Sequence, residues 1–163
     1  MNLEAYTVDT LLLTAIKSEV ESHGVYSLLA GRVKNALLKE RLNFLAGEEA
    51  RHRHILQGIF KEKFPDQDLE LPEKSPVPLP RVIISDELMP LNEIFQMAMH
   101  AEKAAYDFYQ GLAERFEEDD LVNVILYVAR MELGHYELLK VESESLERFE
   151  EANIHIPFIH EGP

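Results

Sequence analysis

Shifted by 83 residues, the sequence overlays itself without a gap. Glu19 falls on Glu102, Tyr26 on Tyr109 and Ala30 on Ala113. Further along, Glu49 falls on Glu132 and His52 on His135, while between them Leu38 meets Leu121, Leu42 meets Ile125 and Phe44 meets Tyr127. Such a chain reads as two copies of one supersecondary unit, each needing the other to bury its apolar face.

Each unit carries apolar residues at the three- and four-residue steps of an amphipathic helix. In the first unit these are Leu12, Ala15, Tyr26 and Leu29, then Leu38, Leu42, Leu45, Leu56 and Ile59; in the second, Phe95, Ala98, Tyr109 and Leu112, then Leu121, Ile125, Val128, Leu139 and Leu146. The periodicity predicts helices over about 8–31, 35–63, 90–114 and 119–150. The intervening stretch, 64–89, and the residue after it hold six of the eight prolines, a density at which no helix continues, so this is an extended connector. Within it, Val82-Ile83-Ile84 is expected to pack along the bundle. At roughly 3.3 Å per extended residue the connector can run the whole length of a bundle. Two short hairpins joined by one long crossover is the ferritin-like arrangement, so the expectation is a single all-α domain over 1–163, a four-helix bundle of two antiparallel hairpins with a Pro-rich crossover and a tail over 151–163 lying against the bundle or a neighbouring subunit.

The repeat also spaces its chemistry. Glu19 and Glu49 are 30 positions apart, with their midpoint at the expected break from Gly31 to Asn35. Glu102 and Glu132 are also 30 apart, with their midpoint in the acidic run Glu117–Asp120. Folding each hairpin at its midpoint brings its two glutamates level, roughly 22 Å from the turn at 1.5 Å per helical residue. All four lie on the apolar stripes: Glu19 between Ala15 and Ser22, Glu49 between Leu45 and His52, Glu102 between Ala98 and Ala105, and Glu132 between Val128 and His135. Four unpaired carboxylates in a bundle core would be very costly. No Lys or Arg shares the stripes at that level. The carboxylates are then either protonated or bound to metal; metal is the better candidate, and two divalent ions balance four carboxylates. Carboxylate oxygens with one imidazole per metal suit iron or manganese. A Glu from each of two helices and a Glu-x-x-His from each of the other two is the di-iron carboxylate pattern.

Composition narrows the alternatives. Thirty Asp and Glu against sixteen Lys and Arg give a net charge of −14, which argues against nucleic acid or an anionic membrane surface as partner. The chain has no cysteine, so thiolate zinc sites, iron–sulfur clusters and a catalytic thiol drop out. No apolar stretch reaches the length of a membrane span and no export signal is visible, so a cytoplasmic location is expected.

The blander readings have weight for single residues. A lone Glu-x-x-His is most often a solvated helix face; two of them, each preceded by a glutamate at the same interval and all in core registers, are not. Tyr26 and Tyr109, seven residues beyond the first glutamate of each unit, are either aromatic core residues or hydrogen-bond partners of the ligand carboxylates. His23 sits beside the seam and reads as half-exposed. His54, His100, His155 and His160 fall off the stripes or in the tail and receive no role. Glu48 and Glu21 read as surface residues.

The segments "LAGEEARHRHIL" around Glu49, "AEKAAYDFYQGLAE" around Glu102 and "ARMELGHYELL" around Glu132 resemble the rubrerythrin branch of the ferritin-like superfamily, over about residues 8–150. The resemblance implies a site of two iron ions, with manganese or zinc possible in their place. It makes Glu19, Glu49, Glu102 and Glu132 ligands, with Glu49 and Glu132 bridging and His52 and His135 each capping one metal. It further implies reduction of hydrogen peroxide or dioxygen, an electron donor such as a separate rubredoxin-like protein, and a homo-oligomer, by analogy a dimer. Two departures stand out. Without cysteine the chain cannot carry the rubredoxin iron site that rubrerythrins usually append. Where they usually have a second glutamate three residues after the third-helix ligand, this chain has Ala105. The remaining four glutamates and two histidines are similar to the symmetrical site of bacterioferritins, which keeps ferrous-iron oxidation and iron storage in play beside peroxide reduction. A third reading is a metal-binding helical bundle without catalysis.

Overall fold

The computed structural model describes residues 3–86 and 88–154, the side chains of 149–154 excepted. Four helices follow one another: α1 (Val8–Arg32), α2 (Ala36–Lys63), α3 (Leu91–Ala113) and α4 (Asp119–Ile154). No strand occurs among the described residues. Close packing runs within each hairpin, α1 on α2 and α3 on α4, and between hairpins α2 approaches α4. This is the all-α four-helix bundle expected from the repeat.

Local chemistry explains the ends. Gly31 stays inside α1, and the turn is Val33–Asn35 instead. Arg32 completes the last turn of α1, where a cation favours the helix dipole, and its guanidinium donates to the Met89 carbonyl at 3.1 Å. Asn35 caps α2 by accepting from the Leu38 backbone N–H at 3.0 Å. As the expected start near 119 implies, Asp119 and Asp120 at the end of the acidic run form the first turn of α4, the favourable end for negative charge. At the other end α4 continues to Ile154, through part of the segment expected as tail. The rest of that tail, with His155 and His160, lies outside the described residues.

The connector between α2 and α3 has no regular structure, yet it is anchored. Val77 is fully buried, and Val82 and Ile84 pack against the core while Ile83 between them faces out. That alternation is the two-residue period of extended chain, so only two of the three apolar residues expected to pack do so. At the N-terminal end, Leu3 packs tightly enough over Gly111 that a Cβ there would lie 3.0 Å from its side chain. Arg115 holds this segment by donating to the carbonyls of Leu3 and Tyr6.

The core divides into two apolar clusters. One gathers Leu12, Ile16, Leu56, Phe60, Phe108 and Val128; the other gathers Leu29, Leu42, Leu45, Phe95, Ala98 and Leu139. All four helices contribute to each. The repeat exchanges them, because the start of α1 lies in the first cluster and the start of α3 in the second. Between them lies a polar layer. The hairpin turn tests the local reading: Asn35→Ala is expected to cost about 1 kcal/mol by removing the cap, a fall of roughly 2–4 °C in melting temperature. Asn35→Asp should retain wild-type melting.

Candidate metal centre

Six side chains form the polar layer, and all are at most 3% exposed: Glu19, Glu49, His52, Glu102, Glu132 and His135. Each sits on its helix at the register the apolar stripe predicts. His52 Nδ1 lies 2.8 Å from Glu132, 3.4 Å from Glu19 and 3.9 Å from Glu49. His135 Nδ1 lies 3.0 Å from Glu49, 3.4 Å from Glu132 and 3.7 Å from Glu102. Glu49 and Glu132 therefore stand between both histidines, whereas Glu19 belongs to the His52 side and Glu102 to the His135 side. The two imidazoles stack with centroids 5.4 Å apart.

The contacts come in reciprocal pairs. Tyr26 donates its hydroxyl to Glu102, and Tyr109 donates to Glu19. Each tyrosine stands two turns beyond the glutamate of its own helix, so both bonds can form together only if α1 and α3 run antiparallel. The pairs His52–Glu132 and His135–Glu49 impose the same on α2 and α4. The repeat thus becomes a local two-fold axis through the polar layer. Both tyrosines are buried, and burial, followed by the nearby glutamate charges, pushes their phenols well above the ordinary value. They stay protonated and act as donors.

Burial, then the charges of its carboxylate neighbours, pushes Glu49 well above the usual carboxylate range, and Glu132 likewise. Burial also acts upward on Glu102, but its contacts with His135 and Glu132, the His135 charge and the Tyr26 hydroxyl outweigh it, and this carboxyl lies below its usual value. For His135 burial acts downward and is outweighed by Glu102, Glu132 and Glu49, which hold the imidazole protonated far above its ordinary range. The resulting picture is a set of acids that cannot all ionise together without another positive charge.

These side chains are close without being bonded to one another. Glu19 Oε2, Glu49 Oε1, Glu132 Oε1 and both ring nitrogens of His52 and His135 are buried with no hydrogen-bond partner. His52 Nδ1 and Glu132 Oε1 approach to 2.8 Å, yet each is without a hydrogen-bond partner. Orphaned buried donors and acceptors are costly, and here they converge: one ligand atom from each of Glu49, His52, Glu132 and His135 fits within 4.8 Å of the others. The residues fit a two-metal site, and Glu19 and Glu102 flank that tight group at its two ends.

Other residues fall where single-residue readings placed them, with exceptions. His23 is half-buried and pairs through Nδ1 with the Ala46 carbonyl at 2.8 Å, tying α1 to α2. His54 and His100 are exposed, and Glu21 is half-exposed beside Lys17. Glu48, expected at the surface, is instead buried: it lies one step round α2 from Glu49, on the side that approaches α4, and Arg51 covers it as ion-pair partner. Glu142 and Ser143 are buried too, Glu142 paired with Arg41 of α2 and Ser143 hydrogen-bonded to Asn92 of α3. Their signal was present in the register, because Glu142 lies seven residues beyond His135 on the same seam.

The metal-free protein should reveal the cost of this layer. A carboxyl whose folded pKa is raised holds its proton when the unfolded chain has lost it, so folding stability falls as pH rises above about 4.5. Raised His135 adds a fall in the same direction above about 6.5. Lowered Glu102 contributes stability that is complete above the usual carboxylate range and so does not reverse the trend. The melting temperature of metal-free protein is therefore expected to drop from pH 5 to pH 8, and metal loading should flatten the profile, since ligands bind deprotonated. A metal-free melting temperature that rises over this window would contradict the assignment of Glu49 and Glu132 as raised.

No curated protein matches the sequence. A solved structure, a hypothetical protein from Pyrococcus furiosus, is similar at 30% identity with a TM-score of 0.79, over 91% of this chain and 95% of that one. The family model for rubrerythrin matches residues 10–143, a span that includes all six residues of the polar layer and both tyrosines. The chain belongs to the rubrerythrin family.

Proposed function

We propose that this protein is a di-iron redox protein that reduces hydrogen peroxide or dioxygen, with Glu19, Glu49, His52, Glu102, Glu132 and His135 as the metal ligands. The observation that carries the reading is the set of converging, orphaned ligand atoms in a dry core. Glu49 and Glu132 would bridge, because each lies near both histidines; Glu19 with His52 and Glu102 with His135 would complete the two ends. Iron bound there would supply the two electrons that reduce an O–O bond, and a two-metal site suits a substrate with two oxygens. Manganese or zinc could occupy the same ligands.

The chain's own residues have definite parts in this. Tyr109 and Tyr26 hold the outer carboxylates of Glu19 and Glu102 by their hydroxyl protons, leaving the other oxygens to face inward. The apolar clusters above and below exclude water from the layer, which strengthens every charge contact within it. A separate protein, such as a rubredoxin-like carrier, would return the electrons, and a cytoplasmic setting suits that exchange. Among the described residues no helix is long and apolar enough to cross a membrane.

One observation favours a second reading, oxidation of ferrous iron for storage. Ala105 stands half-buried where a further carboxylate would break the symmetry of the ligand set, leaving four glutamates and two histidines related by the local two-fold.

Iron per chain, after anaerobic ferrous loading, excess peroxide and desalting, separates the readings. About two irons per chain, with peroxide consumed, is expected of a closed dinuclear site. Many more would favour storage, and none retained would overturn the metal assignment. Glu49→Ala or Glu132→Ala should abolish iron retention and peroxide consumption while the metal-free bundle stays helical by circular dichroism. Tyr26→Phe and Tyr109→Phe should leave the ligands present but weaken iron binding by about 10-fold or more, measured by chelator competition.

A further inference from the structure

Each helix turns one stripe of side chains, at steps of three and four, toward the bundle axis. No stripe residue from Leu42 to Ile59 on α2, or from Ile125 to Leu139 on α4, is more than 5% exposed. On α1 and α3 the burial breaks once. Ser22 is half-buried between Glu19 and Tyr26, and Ala105 is half-buried between Glu102 and Tyr109, although those four neighbours are buried. The two breaks are mates in the repeat, Ser22 falling on Ala105. Because α1 and α3 run antiparallel, the breaks face each other. The Tyr26–Glu102 contact crosses the gap at one end and Tyr109–Glu19 at the other. These crossings lie seven residues apart on each helix, roughly 10 Å at 1.5 Å per residue. Between them stand a hydroxymethyl and a methyl group, on two helices that do not pack closely. The result is a window over the polar layer, and at its corner the Oε2 of Glu19 is buried without a hydrogen-bond partner.

We propose that the window between Ser22 and Ala105 is the entrance to the metal centre, and that it passes divalent cations and oxidants of a few atoms, hydrogen peroxide and dioxygen, while holding back bulky organic hydroperoxides. The inference rests on the metal assignment proposed above and adds to it the route and the size class of what enters. The other routes are filled. α1 packs closely on α2 and α3 on α4, and the two apolar clusters close the ends. On the α2–α4 side the stripes are fully buried, and Glu48 and Glu142 are buried in ion pairs with Arg51 and Arg41.

Outside the window lies a groove of about 510 Å³, with Ser18, Ser22 and Ala101 in one wall and the connector from Pro80 to Ile84 in the other. Its one carboxylate, Glu21, is shared by Lys17 at 3.0 Å and Arg81 at 3.3 Å, so a cation crossing the groove meets no unpaired acid before the layer itself. At the window the Ser22 hydroxyl can accept from peroxide or from the water around a cation. Ala105 leaves room where a longer side chain would stand. A bulky hydroperoxide would have to part the two tyrosine–glutamate contacts to pass.

Uptake of cobalt(II) by the metal-free protein, followed by its visible absorption in stopped flow, reports entry without turnover, and release into excess chelator reports exit. Narrowing an entrance slows both by the same factor and leaves Kd unchanged, whereas disturbing a ligand changes Kd. Ser22→Leu and Ala105→Leu are each expected to slow uptake and release about 10-fold or more at constant Kd. Gly47→Leu, on the exposed side of α2 with open space around the added Cβ, should keep wild-type rates. Because the chain has no cysteine, Ser22→Cys supplies a single thiol of nearly serine's size. Capping it with methyl methanethiosulfonate after folding should slow cobalt entry as Ser22→Leu does, even where the leucine variants fail to fold. Iron-loaded wild type should react with cumene hydroperoxide about 10-fold or more slowly than with hydrogen peroxide. Wild-type cobalt rates in the folded leucine variants or the capped protein would overturn the entrance. So would a thiol the reagent does not reach, a changed Kd with faster release, equal slowing by Gly47→Leu, or equal rates with the two peroxides. A wild type that binds no cobalt would instead overturn the metal assignment, and the entrance with it.

Discussion

Everything in this bundle is arranged around the burial of like charge. Four glutamates on four helices meet in a layer from which water is excluded, where the desolvation of a single carboxylate is expensive and the repulsion between neighbours adds to it. The protein meets part of that cost with its own groups. Two tyrosine hydroxyls donate to the outer carboxylates, His135 is held charged among three acids, and Glu49 and Glu132 are pushed toward their neutral forms. What is left unmet is the set of inward-facing atoms with no partner. A layer that is only partly satisfied from within is poised for a cation, and its binding energy becomes folding energy.

The same contacts carry the topology. Close packing along helices occurs inside each hairpin, with a limited approach of α2 to α4. Across the bundle, the hydroxyl of one hairpin's first helix reaches the carboxylate of the other's, and the imidazole of one second helix reaches the carboxylate of the other. Because each contact has a mate displaced by the repeat, the hairpins can dock in only one relative direction. Apolar clusters would tolerate a small sliding of one hairpin on the other; the polar layer would not, since a shift of one turn moves every donor past its acceptor. Specificity of register is the attested use of buried polar groups, and here it coincides with the layer that a metal would occupy.

Much of this was legible in the sequence for a physical reason: repetition turns weak signals into a strong one. A single Glu-x-x-His is uninformative, but a carboxylate at the centre of each of four apolar stripes has no inexpensive explanation in a bundle. The reciprocal tyrosines could be anticipated only as alternatives, because spacing gives a face and not a partner. Glu48 was misread because a helical wheel ranks residues by distance from the apolar stripe. It cannot say that a second helix approaches from the side and buries a residue one step off it. Glu142 escaped for a related reason, since its partner Arg41 is 101 residues away and nothing in the local pattern links them. The first break was misplaced by a residue or two, because Gly31 stays within α1, whereas α4 begins at Asp119, where the periodicity placed it. Glycine does not end a helix that tertiary packing continues, and aspartates that look like a loop serve equally as the first turn of the next helix.

The departures from repeat symmetry are as informative as the repeat. Within the polar layer the correspondence is complete: each ligand-type residue and each tyrosine has its mate. One step outward it fails, with Glu48 opposite Met131, His23 opposite Tyr106, and Arg41 opposite Val124. A duplicated hairpin starts with two equivalent surfaces, and each outer position then adapts to a different neighbour. His23 finds the Ala46 carbonyl in one hairpin, while Tyr106 in the other packs beside the Lys103 ammonium. The inner layer has no such freedom, because its residues answer to one another and to a common centre. Loss of either tyrosine would leave its partner carboxylate buried without that donor. The boundary at which symmetry breaks therefore frames the site from the sequence side, and the orphaned atoms of Glu19, Glu49, His52, Glu132 and His135 lie within that frame.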